Sequence, residues 1–152
     1  MKFGGPLLAV KDMAASKEFY ETILGNHVVF DLGVHASFAE GFSLQQGYAE
    51  LVGIDPASVV KQSHNFQLYF EVEDLKMWDN KLKDNGTIEY VHGIKEYEWG
   101  QRVFRVYDPD RNIVEIAEGM EIVAKRFLSQ GLSVEETAKR MMSPVEFVKS
   151  FL

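Results

Sequence analysis

The 152-residue sequence has no cysteine, only four prolines and four histidines, and fewer basic than acidic residues. Without cysteine the chain has no disulfides and no thiolate metal ligands, which is typical of a reducing compartment, so we expect a cytoplasmic location. The formal net charge of -7 disfavours general binding to nucleic acid or anionic membranes. No apolar run approaches the roughly 18 residues of a membrane span. We therefore expect neither nucleic acid nor a membrane as a partner.

Two stretches of the chain resemble one another, Leu7 to Gly25 and Tyr69 to Gly86. Each reads as a strand, an aspartate suited to cap a helix (Asp12 and Asp74), an amphipathic helix and a glycine suited to a left-handed stop. Three strand-like runs follow each helix. This repeat predicts an α+β fold of two βαβββ modules that form a cupped mixed sheet around a cavity.

The boundaries follow from these patterns. We expect modules at about 1–50 and 65–118, a linker at 51–64 within a domain of residues 1–118, and a C-terminal helical extension at 119–152. The expected apolar stripes are Ala15, Phe19, Tyr20, Ile23 and Leu24 in the first helix and Leu75, Trp78 and Leu82 in the second. The expected later strands are His27 to Asp31, Val34 to Ala39, Phe42 to Gln46, Ile88 to His92, Arg102 to Tyr107 and Ile113 to Glu118.

The sequence of the C-terminal extension predicts three short helices. Ser133-Val134-Glu135-Glu136 has the pattern of a capping box, and Ser143-Pro144-Val145-Glu146 suggests another with proline at the first helical position. The extension looks superficially like a helix-turn-helix, but its net charge of about +1 is too small for the phosphate contacts that such binding needs. Its apolar residues are expected to seal a sheet edge, a dimer seam or the pocket.

The run from Arg102 to Glu118 reads as two strands joined by a turn at residues 108–112. If the turn is centred on Asp110, Glu115 lies opposite Arg105. The pair has two interpretations: a recognition site in which Arg105 binds an anionic or carbonyl group while Glu115 accepts a hydroxyl or amine, or a structural ion pair.

Other side chains are candidates for lining the pocket. Gln67 and Tyr69 share a strand face with Glu71, opposite the apolar face that packs on the second helix. Trp99 lies in the loop before the hairpin and either closes over a flat ligand or caps the sheet edge.

The duplicated pattern, the F-Y-x-x-x-L-G sequence at Phe19 to Gly25 and the run from Trp99 to Ile116 resemble the vicinal oxygen chelate superfamily. This superfamily includes glyoxalase I, bleomycin-resistance and fosfomycin-resistance proteins and extradiol dioxygenases. The resemblance covers roughly Met1 to Glu118, and it implies the expected fold, a glyoxalase-like domain and a homodimer.

In metal-using members of the superfamily, side chains at four positions hold a divalent ion. The resemblance carries these positions onto Gly5, Gln45 or Gln46, Gln67 and Glu115. Glycine has no ligand, neutral amides are weak ligands, and zinc, nickel and iron sites prefer imidazole. We therefore expect no cofactor and no metal ligands, with a divalent metal as the alternative.

Together these features favour a protein that binds or modifies a small molecule in the cavity between its sheets, without the usual catalytic metal. The expected ligand-binding residues are Gln45, Gln67, Tyr69, Trp99, Arg105 and Glu115, with Glu115 as the catalytic candidate. One alternative is a metal-dependent lyase, isomerase or dioxygenase. Another is a non-enzymatic assembly protein that uses the helical extension.

Overall fold

The computed structural model describes all residues from Met1 to Leu152, and its strands form two four-stranded sheets. The strands are β1 Leu7–Val10, β2 Val28–Asp31, β3 His35–Phe38, β4 Ser43–Gln46, β5 Gln67–Val72, β6 Tyr90–Glu96, β7 Arg102–Tyr107 and β8 Ile113–Glu118. The helices are α1 Met13–Lys17, which continues as a π-helix at Glu18–Ile23, α2 Tyr48–Val52, α3 Leu75–Asn85, α4 Met120–Ser129, α5 Val134–Arg140 and α6 Val145–Lys149. No helix is long and apolar enough to cross a membrane.

The two sheets repeat one topology, which confirms the predicted fold class. The first sheet has the order β1-β4-β3-β2 and the second the order β5-β8-β7-β6. In each, the strand before the helix pairs in parallel with the last strand of the module, and the remaining neighbours are antiparallel. The chain divides into two compact units: residues 1–66 with the turn 108–112, and residues 67–107 with 113–152.

The first unit packs its helix on the sheet through aromatic side chains. Asp12 caps α1 by accepting from the backbone amide of Ala15 at 3.1 Å, as expected. Tyr20 is fully buried, its ring contacts Phe42 at 5.2 Å, and its hydroxyl donates to Asp108 at 2.7 Å. Burial, with the nearby Asp108 carboxylate, raises the pKa of the Tyr20 phenol well above its ordinary value, so this hydroxyl stays a donor.

Part of the predicted stripe on the first helix is wrong. Phe19 and Tyr20 are buried, but Ala15 is exposed, and Met13 and Ser16 are buried instead. The cause is the π-helix that follows α1, because its wider turns change the angular position of each side chain. The buried face of this helix therefore cannot be predicted by applying the α-helical period of 3.6 residues from Phe19 back to Ala15.

The segment between the modules has more regular structure than expected for a linker. Helix α2 begins after Gly47 and ends at Gly53, and both glycines have left-handed backbone angles. A short 3₁₀ turn, Pro56–Ser58, follows, and Asp55 caps it by accepting from the amide of Ala57 at 2.9 Å. The segment lacks sheet structure, in agreement with its proline and polar content.

The second unit follows its sequence pattern closely. Asp74 caps α3 by accepting from the amide of Met77 at 2.8 Å, and Gly86 ends the helix in the left-handed region. Exposure alternates along β5, with Gln67, Tyr69 and Glu71 on the more exposed face, as expected. The β7–β8 register places Arg105 opposite Glu115, which confirms the predicted hairpin.

The C-terminal residues form the three expected helices, and they group with the second unit. Their buried cluster includes Val123, Phe127, Met141 and Val148. The Phe127 ring occupies the place where a side chain at Gly100 would lie, because a Cβ built there would be 2.3 Å from the ring. The extension therefore packs directly on the loop between β6 and β7.

Only one of the two predicted capping boxes exists. Ser133 accepts from the amide of Glu136 at 3.1 Å, and Glu136 accepts from the amide of Ser133 at 2.8 Å. At the second site, Pro144 is itself the capping residue, and no side chain caps α6. Ser143 lies one residue too early, and its buried hydroxyl has no hydrogen-bond partner.

Candidate functional site

Arg105 is the centre of a polar network on the second sheet. Its Nη2 forms an ion pair with Glu115 Oε2, and its Nε donates to Gln67 Oε1 at 2.9 Å. Gln67 Nε2 in turn donates to Glu115 Oε2 at 3.0 Å. The side chain of Glu115 is 7% exposed and that of Arg105 is 20% exposed. A nearly buried carboxylate is thus paired with a guanidinium whose edge still reaches solvent, which limits the cost of burying the charge.

Two side chains of β6 and the following loop complete the network. Arg105 Nη1 lies 2.9 Å from His92 Nε2 and also donates to the hydroxyl of Tyr97. Because guanidinium can only donate, His92 Nε2 is the acceptor, and Nδ1 then carries the proton that bonds the carbonyl of Gly93 at 2.8 Å. His92 is therefore held as the neutral Nδ1–H tautomer.

Tyr69 and Trp99 are joined to this face through Gln101. Trp99 donates to Gln101 Oε1 at 3.0 Å, and Gln101 Nε2 donates to the hydroxyl of Tyr69 at 3.0 Å. Tyr69 donates to Glu71 at 2.6 Å. Partial burial, followed by this bond to Glu71, raises the pKa of Tyr69 well above its ordinary value, so Tyr69 acts as a neutral hydroxyl. The Trp99 ring stacks on Tyr97 with centroids 4.7 Å apart.

The structure thus brings five of the six sequence-predicted residues into two linked sets of contacts in the second unit. His92, Tyr97 and Gln101 also belong to this site but were not predicted from the sequence. His92 lies opposite Arg105, but irregularities in the β6–β7 pairing occur on both sides of it, so counting from the turn does not reveal the contact.

Gln45 belongs to the first unit, where its side chain is 7% exposed. Its Oε1 lies 3.0 Å from His35 Nδ1, and its Nε2 donates to the carbonyl of Gln46 at 2.7 Å. The other ring nitrogen of His35 contacts Ser37, and Ser37 contacts Ser43. His35, Ser37 and Ser43 were not predicted as members of a site, because a lone histidine beside serines has no distinctive spacing.

The register also identifies the counterpart of Glu115 in the first module. Tyr69 lies five residues before the capping Asp74 and pairs with Glu115, whereas Leu7 lies five residues before the capping Asp12 and pairs with Ser43. Ser43 is therefore the repeat-equivalent of Glu115, which corrects the assignment of this family position to Gln45 or Gln46 from the sequence. Ser37, which pairs with Ser43, is the repeat-equivalent of Arg105.

The donor set at the family's metal positions does not fit a divalent transition ion. A Cβ at Gly5 would lie 2.0 Å from the carbonyl oxygen of Gly41, so this position is closed to any side chain. Glu115 and Gln67 bond Arg105 and one another. No group of three or more histidine, cysteine, aspartate or glutamate side chains in the chain is arranged to hold a metal.

A pair of βαβββ modules, each with a parallel first-to-last strand pair, defines the class of glyoxalase-related proteins. The profile of the Glyoxalase-like domain family matches residues 3–121. The chain therefore belongs to the glyoxalase-like family of the vicinal oxygen chelate superfamily, as the sequence resemblance implied.

Individual relatives agree with this assignment. The uncharacterized protein YraH of Bacillus subtilis (strain 168) is 29% identical over 117 residues, which cover 72% of this chain and 91% of YraH. A crystal structure of a protein of unknown function from Agrobacterium tumefaciens str. C58 is similar with a TM-score of 0.66 and 34% identity, covering 78% of this chain and 94% of that one. A glyoxalase/bleomycin resistance protein/dioxygenase from Nocardioides shares the fold, with a TM-score of 0.62, 22% identity and coverages of 78% and 83%.

Proposed function

We propose that the protein binds a small molecule bearing a carboxylate or carbonyl group at Arg105, without the divalent ion used by metal-dependent relatives. One observation carries the proposal: the only family metal ligand that the chain retains, Glu115, is bonded directly to a guanidinium. In this proposal the permanently charged side chain of Arg105 takes the place of a bound metal ion. A planar guanidinium is well suited to bind carboxylate and carbonyl groups.

The surrounding side chains favour a ligand that is flat on one side. Gln67 and Tyr69 lie on the exposed face of β5 and offer an amide and a hydroxyl. The stacked pair of Tyr97 and Trp99 offers an aromatic surface beside Arg105, whose guanidinium lies 5.5 Å from the Tyr97 ring. In this proposal Glu115 holds Arg105 in position and accepts a hydrogen bond from a hydroxyl or amine of the ligand. This is the role that we propose for Glu115, the catalytic candidate from the sequence.

Isothermal titration calorimetry tests the proposal with pyruvate, lactate, benzoate and salicylate as probes, each in metal-free buffer. We expect saturable binding of at least one probe, and loss of that binding in Arg105→Gln. Arg102→Gln is the matched control, because Arg102 lies on the same strand but pairs with Glu96 at 3.0 Å. Binding that appears only after a divalent metal is added, or that survives in Arg105→Gln, contradicts the proposal.

We further propose that the protein forms a homodimer, because members of its family are often dimers. Light scattering coupled to size-exclusion chromatography measures the mass directly. A mass of one chain, close to 17.3 kDa, over the working concentration range contradicts this proposal.

A further inference from the structure

A row of polar side chains crosses β3 and β4 on one face of the first sheet. The register pairs His35 with Gln45 and Ser37 with Ser43, so all four side chains lie on the same face. Gln45 is buried and the other three are half-buried. His35 lies 3.0 Å from Gln45 Oε1 through Nδ1 and 3.0 Å from Ser37 Oγ through Nε2, and Ser37 Oγ lies 2.9 Å from Ser43 Oγ.

One backbone carbonyl sets the direction of every hydrogen bond in this row. Gln45 Nε2 donates to the carbonyl of Gln46, which turns the amide oxygen, an acceptor only, toward His35. His35 Nδ1 must then carry the proton, and in the neutral imidazole Nε2 is an acceptor. The Ser37 hydroxyl therefore donates to Nε2, and the Ser43 hydroxyl donates to the oxygen of Ser37.

We propose that this row is an acyl-transfer site in which Ser37 is the nucleophile. A hydroxyl within hydrogen-bond reach of a histidine, which is itself oriented by a third group, is the arrangement that activates a serine. His35 is the general base, and the buried amide of Gln45 is the positioning residue that fixes its tautomer. The site lies on a different sheet from Arg105 and does not depend on the ligand proposed for it.

The reaction of an ester at this site balances without a metal or an oxidant. Ser37 Oγ bonds to the carbonyl carbon as its proton moves to His35 Nε2. The Ser43 hydroxyl, which no longer donates to Ser37, donates to the developing oxyanion. The bond between the carbonyl carbon and the alcohol oxygen then breaks, and the alcohol leaves with the proton from Nε2. Water hydrolyses the acyl-serine by the same proton transfers and releases the acid.

The flanking side chains indicate a small ester with short apolar groups. In the β2–β3 register Phe30 pairs with Ser37, and its ring centroid lies 6.2 Å from that of His35. In the β1–β4 register Leu7 pairs with Ser43. Phe30 is 52% exposed and Leu7 is 37% exposed, so both present apolar surface on the face of the two serines. An uncharged ester places its acyl and alcohol groups on these two side chains.

Labelling with an alkyl fluorophosphonate tests the proposal on the full-length protein at about pH 8, above the ordinary histidine pKa of about 6.5. Ser37 Oγ attacks phosphorus, fluoride leaves, and the proton passes to His35. Intact mass spectrometry should show one adduct per chain, and peptide mapping should locate it on Ser37. Unlabelled protein should hydrolyse 4-nitrophenyl acetate with an initial burst of nitrophenolate, and the labelled protein should not.

Variants separate this chemistry from general serine reactivity. Ser37→Ala should abolish the adduct, and His35→Gln should slow labelling by about 100-fold or more. Ser63→Ala is the control and should label at the wild-type rate, because Ser63 bonds only Asn65 among the contacts described for it. Thermal melting verifies that each variant is folded. Absence of a wild-type adduct on Ser37, or an unchanged labelling rate in folded His35→Gln, overturns the proposal.

Discussion

At the scale of single residues, the second sheet pairs the nearly buried carboxylate of Glu115 with the fixed cation of Arg105. The guanidinium of Arg105 bonds Glu115, Gln67, His92 and Tyr97 at once. These four contacts use four of the five N–H donors of the guanidinium, so its position is fixed while one N–H of Nη2 is left for a ligand. Because of these contacts, Arg105 stabilises the folded structure as well as forming the proposed ligand site.

Replacing Arg105 should therefore reduce stability. Arg105→Gln leaves the nearly buried Glu115 without its cation, and we expect a loss of about 3 kcal/mol in the free energy of unfolding, measured by urea denaturation. Arg105→Gln combined with Glu115→Gln removes both charges and should recover part of that loss. An additive double variant would show that the two side chains are energetically independent.

Gly5 provides a second prediction at this scale. Its backbone angle φ is +106°, and an added Cβ would lie 2.0 Å from the carbonyl oxygen of Gly41. Gly5→Ala should therefore lower the free energy of unfolding by about 1–3 kcal/mol. Gly4→Ala is the matched control, because nothing lies within 4 Å of a Cβ there. Equal stabilities of the two variants would show that the first metal-ligand position is open to side chains.

At the scale of elements, the sequence predicted the order and type of almost every strand and helix. Asp12 and Asp74 marked both helix starts, and the turn at residues 108–112 fixed the register of Arg105 against Glu115, because these signals are local. The π-helix after α1 and the short helix α2 had no such signal. The row from His35 to Ser43 was also hidden, since its contacts depend on the pairing of β3 with β4.

The two expected capping boxes give a contrasting pair of variants. Ser133→Ala removes a true cap and should cost about 1 kcal/mol of unfolding free energy. Ser143→Ala removes a buried hydroxyl that lacks a partner, and it should leave stability unchanged or raise it. Chemical denaturation measures both, and a larger loss in Ser143→Ala than in Ser133→Ala would contradict the assigned caps.

The capping box also has a defined pH dependence. Hydrogen bonds from Ser133 lower the pKa of the Glu136 carboxyl below its ordinary value. Because the folded-state pKa is depressed, the contribution of Glu136 is present above the ordinary value and is lost as pH falls through the folded-state value. The stability difference between wild type and Glu136→Gln should therefore shrink on acidification.

At the scale of the whole molecule, the C-terminal helices extend beyond the residues that match the family, have a buried cluster of their own and yet group with the second unit. Phe127 packs on Gly100, and Arg126 donates to the Gly100 carbonyl and pairs with Glu118 at 3.1 Å. These contacts hold the loop that carries Trp99. The extension thus has a structural role independent of any role in assembly.

Phe127→Ala should reveal this structural role. The substitution removes a buried ring, and we expect a loss of about 3–5 kcal/mol in unfolding free energy together with a change in Trp99 fluorescence. Phe147→Ala is the control, because Phe147 is 39% exposed and should cost much less. An assembly role is tested separately: a truncation after Gly119 that stays monodisperse at unchanged oligomeric state would count against it.

Native mass spectrometry after incubation with nickel, zinc, manganese or iron(II) tests the central claim, that Arg105 takes the place of a catalytic ion beside Glu115. We predict no stoichiometric metal adduct in wild type, and the same result in Glu115→Gln. A one-to-one metal complex that forms in wild type and disappears in Glu115→Gln would contradict the account.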